Sequence, residues 1–426
     1  MTARVTEAFR RHGYAPIETP ALEYAEILVG KGGEESDRLL YRWTDAGGRE
    51  VALRFDLTVP LARFVAEHAG RLVFPFRRYH VGPVWRAERP QKGRFREFLQ
   101  CDADLVGATG AAADAEMLVV MDAAYRALDV GRVTLHVNDR RVLNGLLETL
   151  GASEVATGIL RALDKLDKQG AEAVAREMVE AGLDASKVRT LLDVAEPGSD
   201  DADTLASLGR AVRGSGIGEE GVVALGRVRD LALASGVSPE ALCIDPSVAR
   251  GLDYYTGIVY EARMADAPGF GSVGGGGRYD DLAGLYSKTP FPGVGGSVGI
   301  DRLLAALEAR EGASAGAWGS EVLVVHPGKG RLGAACAFAA GLRSHSLSAE
   351  IYPEARKHGA QMRYADRMGI RFVFTPDDDG TFHGKDLVTG ETFDADGPAA
   401  APDAVEGRRE GAGPAAGSGS GSASGS

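Results

Sequence analysis

The stretch "YHVGPVWRAERPQKGRFREFLQCDADLVG", residues 79 to 107, reads as two antiparallel strands joined by a loop that holds Glu88, Arg89, Pro90, Gln91, Lys92 and Gly93. Successive residues of a strand point to opposite faces, so the second half sorts by parity. Phe98, Gln100, Asp102 and Asp104 fall on one face, Leu99, Cys101, Ala103 and Leu105 on the other. One face is core and the other polar. Polar groups on a central strand either meet water or line a pocket, and an arginine-rich loop beside them favours a pocket for an anion. Residues 77 to 96 carry seven Arg or Lys against one Glu, a local +6 in a chain of formal net charge -12. A solvated edge hairpin is the plainer alternative, and this charge density argues against it.

Three segments share the chemistry of that hairpin. "VALRFDLTVPLARFVAEHAG", residues 51 to 70, reads as a strand feeding a helix, with Thr58 as candidate N-cap, Pro60 in the first turn and Asp56 at the strand end. "VARGLDYYTGIVYEARM", residues 248 to 264, sets Arg250 at the mouth of a strand rich in β-branched and aromatic residues, where an arginine faces either an anion or a neighbouring carboxylate. "GVGGSVGIDRLLAAL", residues 293 to 307, is a glycine-rich strand that lets a flat ring or a phosphate approach the backbone. It runs into a helix marked by Ile300, Leu303, Leu304 and Leu307, with Arg302 in the first turn. Gly269, Gly271 and Gly274 match G-x-G-x-x-G, but no strand ends at Gly269 and no P-loop pattern exists, so the dinucleotide reading is weak.

With 426 residues the chain exceeds one ordinary core, and 44% hydrophobic with 25% charged residues is a globular composition. No apolar run reaches the roughly 20 residues of a membrane span, and the N-terminus lacks the apolar stretch of a signal peptide. Cys101, Cys243 and Cys336 lie far apart, which suits a reducing cytoplasmic compartment and excludes a cysteine-based zinc site. Strand and helix patterns alternate to about 155 and resume from 236 to 312. Between them, 156 to 235 reads as a helical insertion. Residues 320 to 397 alternate strand and helix as a separate α/β domain, with eight Arg or Lys against four acidic residues over 321 to 374. The Ala, Gly, Ser and Pro composition of 398 to 426 predicts a disordered tail.

Taken together, the motifs resemble those of the class II aminoacyl-tRNA synthetases. The arginine-bearing hairpin with its "FRE" return is similar to motif 2, and "GVGGSVGIDRLL" to motif 3. "ARGLDYYTG" and "GGGGRYDDL" resemble the two signature segments of the histidyl-tRNA synthetases. The likeness spans roughly residues 5 to 395. It implies an α+β catalytic domain on a six-stranded antiparallel sheet flanked by helices, a C-terminal α/β anticodon-binding-like domain, and a homodimer formed partly through the extended segment near Pro20. The implied substrates are L-histidine, ATP with Mg2+, and the histidine tRNA, with no membrane involved and no protein metal site.

Residue by residue, the resemblance implies that Arg86 and Arg250 serve catalysis at the α-phosphate, that Glu88 assists ATP binding, that Phe95 stacks on adenine, and that Arg302 holds the γ-phosphate. Asp104 and Tyr255 would read the imidazole, Asp56, Thr58 and Gln100 would surround the amino group, and Tyr254 would belong to the same histidine-binding set. Gln91 falls where the acceptor end of the tRNA approaches. Two departures stand out: the chain begins downstream of the Gly-Thr-Arg-Asp-like segment usual in the family, and "FTPDDDG" places three aspartates where RNA would approach. The main competing expectation is a histidine-sensing regulatory paralogue of ATP phosphoribosyltransferase, which usually lacks the arginine of "RGLDYY" and the C-terminal domain; both are present here.

Overall fold

The computed structural model describes residues 1–30, 37–90, 93–249, 254–311, 319–328, 330–377, 380–395, 397 and 401–409. The chain divides into two units, residues 1–312 and 313–426. Strands of the first unit, in chain order, are β1 (Ala15–Pro16), β2 (Leu22–Tyr24), β3 (Arg42–Thr44), β4 (Glu50–Leu53), β5 (Phe76–Trp85) and β6 (Glu97–Val106). Then come β7 (Val133–Asp139), β8 (Leu242–Ile244), β9 (Ile258–Met264), β10 (Ser272–Arg278) and β11 (Gly293–Gly299).

Eight of these form one sheet in the order β1-β5-β6-β11-β10-β9-β7-β8. Its six central strands are antiparallel throughout. The two outer strands are very short and pair in parallel, β1 on β5 and β8 on β7. The six-stranded antiparallel sheet that the resemblance implies is this central part, and strands of two or three residues are too short to show a periodicity in the sequence. β5 and β6 pair from Phe76↔Val106 to Trp85↔Glu97, so the predicted hairpin forms with the predicted parity.

One face of the sheet is covered by helices Thr2–Arg11 and Ala111–Leu128, which bury Val5, Phe9, Met117, Leu118 and Met121 against Cys101, Ala103 and Leu105. The residues between the two halves of the sheet include helices Ala156–Leu163, Ala171–Glu180, Ala185–Ala195, Asp201–Ala211 and Gly216–Ala234. Their buried faces join the same core, as Ile159, Val174, Leu191, Leu208 and Leu225 do. Helix Gly216–Ala234 crosses helix Arg140–Thr149 where a Cβ on Gly218 would sit 3.1 Å from the Gly145 Cα and 2.7 Å from the Val212 Cβ. The backbones approach so closely there because neither glycine has a side chain.

The other face of the sheet is polar at β5, β6 and β11. Beside it β2, β4 and β3 form a three-stranded sheet that leads through Asp56 into helix Thr58–His68. In the second unit β12 (Val322–Val324), β13 (Ala349–Ile351), β14 (Phe372–Pro376), β15 (Phe382–Asp386) and β16 (Thr392–Ala395) make a mixed sheet in the order β13-β12-β14-β15-β16. One correction falls here. The tail predicted as disordered from 398 contains helix Ala401–Arg409, whose Ala401 and Val405, one turn apart, are fully buried against Phe338, Phe372 and Phe374. A two-residue apolar contact on an Ala- and Gly-rich helix leaves too little periodicity to read from the sequence.

The crossing of the two glycines gives a direct test. Gly218→Val should lower the unfolding free energy by about 2–3 kcal/mol or more, because nothing rigid can move aside. Gly209→Ala, mid-helix with its nearest neighbour atom 4.0 Å away, should raise it by roughly 0.5–1 kcal/mol. Thermal or urea unfolding of the two variants reads both signs.

Candidate active site

The polar face of β5, β6 and β11 builds a floor of charged side chains by register alone. Asp104 is opposite Arg78 on one side and Gly295 on the other, Asp102 opposite His80 and Ser297, and Gln100 opposite Gly82 and Gly299. All of the polar side chains in this grid except Ser297 are buried, and Arg78 has no exposed surface. Its guanidinium Nη2 lies 2.7 Å from Asp104 Oδ2 and donates to the Leu57 carbonyl at 3.1 Å. Burial pushes the Asp104 carboxyl up, with Arg78 and the Tyr279 hydroxyl, which donates to Asp104 Oδ1, pulling it back. Asp102 is pushed up to about 7, burial again being the largest cause.

Asp56 stands at the end of β4. Its Oδ1 accepts from the backbone N–H groups of Thr58 at 3.1 Å and Val59 at 2.9 Å, and Tyr254 donates to its Oδ2 at 3.4 Å. The helix that follows starts at Thr58 with Leu57 as N-cap position, so Thr58 is not the N-cap that the sequence predicts. Asp56 satisfies the free N–H groups instead, an aspartate being well suited to that place. One carboxylate oxygen caps a helix while the other faces the tyrosines. Burial raises its pKa, opposed by these N–H groups and by Arg86.

Tyr254, Tyr255 and Tyr279 form the aromatic wall. Ring centroids of Tyr254 lie 4.8 Å from Tyr255 and 6.2 Å from Tyr279. The glycines of β10 and β11 make room for these groups: a Cβ on Gly277 would fall 2.7 Å from the Tyr255 ring, and one on Gly295 would fall 1.9 Å from Asp104 Oδ1. The sequence reading took the glycine strand as space for a ligand. Over Gly295 in that strand, as over Gly277 in the neighbouring β10, the space is filled by the protein's own pocket side chains. Tyr279 was not singled out in the sequence, since it follows β10 rather than lying in it; its place beside the quoted "GGGGRYDDL" glycines was the signal available.

The hairpin arginines divide between two tasks. Arg77 pairs with Glu116 at 2.6 Å and Arg78 with Asp104, so the two arginines at the far end of β5 serve the fold and the floor. Arg86 is stacked between Phe55 and Phe98, 4.2 and 5.0 Å from their ring centroids, and donates to the Phe55 carbonyl at 3.2 Å. That clamp holds its planar guanidinium in place next to Asp56. In the loop Glu88 pairs with Arg94 at 3.2 Å, and the Phe95 ring is 51% exposed, open to stacking by a flat ring. A Cβ on Gly93, at φ +72°, would touch Ala305 at 3.2 Å, so the loop rests on helix Ile300–Glu311 that carries Arg302. Arg302 donates to the Ser272 carbonyl at 2.6 Å, and Asp301 Oδ2 accepts from the Leu99 N–H at 2.8 Å, tying helix to hairpin. Arg250 and Gln91 lie outside the described residues. A cationic strip thus borders an acidic, aromatic pocket, a layout that takes a cationic small molecule on one side and a polyanion on the other.

In the second unit, Asp377 of "FTPDDDG" pairs with His383 Nε2 at 3.0 Å, and His383 Nδ1 contacts Asp394 at 2.5 Å. Hydrogen bonds to the two carboxylates raise the pKa of this imidazole.

A sequence model of the family described as Histidyl-tRNA synthetase matches residues 1–303. A histidine–tRNA ligase of Rhodopirellula baltica is 47% identical over 409 residues, covering 95% of this chain and 92% of that protein. One from Treponema denticola is 41% identical over 381 residues, covering 88% and 84%. Among solved structures, the histidyl-tRNA synthetase of Nostoc sp. PCC 7120 superposes with a TM-score of 0.81 at 30% identity, covering 96% of this chain and 94% of that one. A Bacillus halodurans protein described as an ATP phosphoribosyltransferase regulatory subunit/histidyl-tRNA synthetase has a TM-score of 0.70 at 23% identity, over 85% and 90% of the chains, and shares the fold. With the matched model over most of the first unit and relatives this similar over nearly the whole length, the chain belongs to the histidyl-tRNA synthetase family.

Proposed function

We propose that the pocket floored by Gln100, Asp102 and Asp104 activates L-histidine with ATP to histidyl-adenylate and pyrophosphate, and that the chain then transfers histidine to the 3′ end of its tRNA. The observation that carries this reading is the buried Arg78–Asp104 pair beside Tyr254, Tyr255 and Tyr279. A carboxylate held in place by a guanidinium and a tyrosine is an acceptor for an imidazole N–H, and a ligand without one leaves it unpaired at high cost. Asp56, Thr58 and Gln100 surround the α-amino group, Asp56 and Gln100 offering it acceptor oxygens.

Attack of the histidine carboxylate on the α-phosphate builds charge on the non-bridging oxygens, and fixed guanidinium groups stabilise charge that appears only in the transition state. Arg86 is held for that role by its aromatic clamp, with Arg250 as its partner from the "RGLDYY" segment. Phe95 stacks on the adenine, Arg302 takes the γ-phosphate, and Gln91 meets the tRNA acceptor end. Mg2+ enters as part of the ATP substrate, bound mainly by phosphate oxygens and water, and Glu88 assists ATP binding.

Residues 1–155 with 236–312 would form the catalytic domain, 156–235 an insertion, and 320–397 the anticodon-binding part. Leu22 and Tyr24, each 47% exposed just after Pro20, with Trp43 at 44% on the same small sheet, support a homodimer through that segment. The three free cysteines support a cytoplasmic location.

Histidine-dependent exchange of labelled pyrophosphate into ATP tests the activation step, with the other amino acids as controls; exchange with histidine alone is expected, and its absence would refute the reading. Arg250→Ala should cut that exchange by roughly a hundred- to thousandfold while histidine binding, measured by calorimetry, persists. Asp104→Ala should instead raise the KM for histidine by roughly ten- to a hundredfold and leave the KM for ATP near that of the parent.

A further inference from the structure

Between Gln100 and Asp104, on the same face of β6, the carboxylate of Asp102 has no role in the reaction described above. It is 3% exposed, and its Oδ1 has no hydrogen-bond partner in the structure. Burying such a group without a purpose is costly, since a buried carboxylate is paired, protonated or used. Its neighbour across the strand pair is Ser297. The Ser297 hydroxyl accepts a hydrogen bond from Gln100 Nε2 at 3.0 Å, and its place directly opposite Asp102 sets it beside that carboxylate, whose charged form it favours. Gln100 Oε1, at the other end of the amide, is buried and has no hydrogen-bond partner.

The direction of these bonds decides what Gln100 offers. An ionised carboxylate only accepts, so a Ser297 hydroxyl that serves the neighbouring Asp102 gives it its single proton and can then only accept from Gln100, as it does here. The amide is thereby fixed with NH2 toward Ser297 and its carbonyl oxygen left over. Were Ser297 free to donate to Gln100, the amide could turn over and leave an NH2 there instead. A carbonyl oxygen attracts an ammonium group; an NH2 repels it.

We infer that Asp102 is a positioning residue for substrate recognition: acting through Ser297, it fixes the Gln100 amide so that a carbonyl oxygen, and not an NH2, meets the substrate's α-ammonium group. This rests on the reading of the pocket as a histidine site, and it adds a residue that reads the amino end of the ligand without touching it. The state of the relay follows the proton on Asp102. Charged and titratable groups around it are Arg78 and His80 from β5, Asp104 from its own strand, and Arg54 and Asp56 from the segment after β4. Burial drives His80 down to about 3, so it stays neutral, and the balance among the others leaves Asp102 near 7. Below that pH a protonated Asp102 can itself donate to Ser297, and the relay loses its fixed sense. Above it the sense is set, so histidine affinity should strengthen as pH rises through neutrality.

The test compares L-histidine with imidazolepropionate, which keeps the ring and the carboxylate and lacks the ammonium group, by calorimetry on the full chain at pH 6 and pH 8. Asparagine in place of Asp102 offers both a donor and an acceptor, so Asp102→Asn should weaken histidine roughly tenfold at pH 8 while leaving imidazolepropionate unchanged. The ratio of variant to parent affinity for histidine should move toward one at pH 6, the ligand's own titration cancelling in the ratio. Ser297→Ala cuts the relay without altering any charge and should show the same selectivity, which keeps the test decisive if Asp102→Asn fails to fold. Equal weakening of both ligands in either variant, or a pH-independent ratio for Asp102→Asn, overturns the relay and leaves the histidine site standing. Failure of the parent chain to bind histidine overturns both.

Discussion

Burying three carboxylates, Asp56, Asp102 and Asp104, in one pocket sets the terms for everything around them. Each is driven toward its neutral form by the loss of water, and the structure opposes this with fixed donors. Arg78 is the central one, wholly buried and in contact with Asp104. A pair of this kind need not add net stability, but removing one partner leaves a buried charge uncompensated at about 3–5 kcal/mol. The arrangement therefore makes sense as recognition. Some of its stability is committed to holding acceptors ready for a ligand that carries donors.

That commitment constrains the backbone. Asp104 can occupy the floor and Tyr255 the wall because Gly295 and Gly277 have no Cβ to oppose them, and the helix-covered face is filled by Tyr260 against Gly296 in the same way. Glycine in a strand interior weakens it, since it loses more chain entropy and packs nothing. Long neighbouring strands offset the loss: β5 and β6 pair over ten residues, and β6 in turn pairs with β11 over seven. The hairpin is thus both the scaffold of the pocket and the carrier of its arginines.

Anchoring extends from there to the cationic strip. The Asp301 contact with the Leu99 N–H and the seat of Gly93 on Ala305 hold the hairpin loop to the helix of Arg302, while Phe55 and Phe98 clamp Arg86 from both sides. Guanidinium groups held this way lose little freedom when an anion arrives, which is the physical requirement for stabilising charge that develops during a reaction. The pocket and the strip meet at Asp56, whose carboxylate caps a helix, reaches Tyr254 and feels Arg86.

Much of this was legible in the chain. Strand parity placed Gln100, Asp102 and Asp104 on one polar face, because the two-residue period is a local property of an extended backbone, and the hairpin and the glycine strand followed from equally local signals. The sequence also determined the family, through motifs whose order and residues carry the likeness. Other features depended on groups far apart in sequence. Tyr279 joins Asp104 across 175 positions, Arg78 turns inward to Asp104, and Ala401 and Val405 find an aromatic core that no local pattern announces. Asp102 shows the division most clearly: its face could be read from parity, but its link to Gln100 runs through Ser297, nearly 200 residues away, and hydrogen-bond direction exists only once the strands are paired. Periodicity fixes which way a side chain points, whereas its partner and charge state depend on what the rest of the fold brings against it.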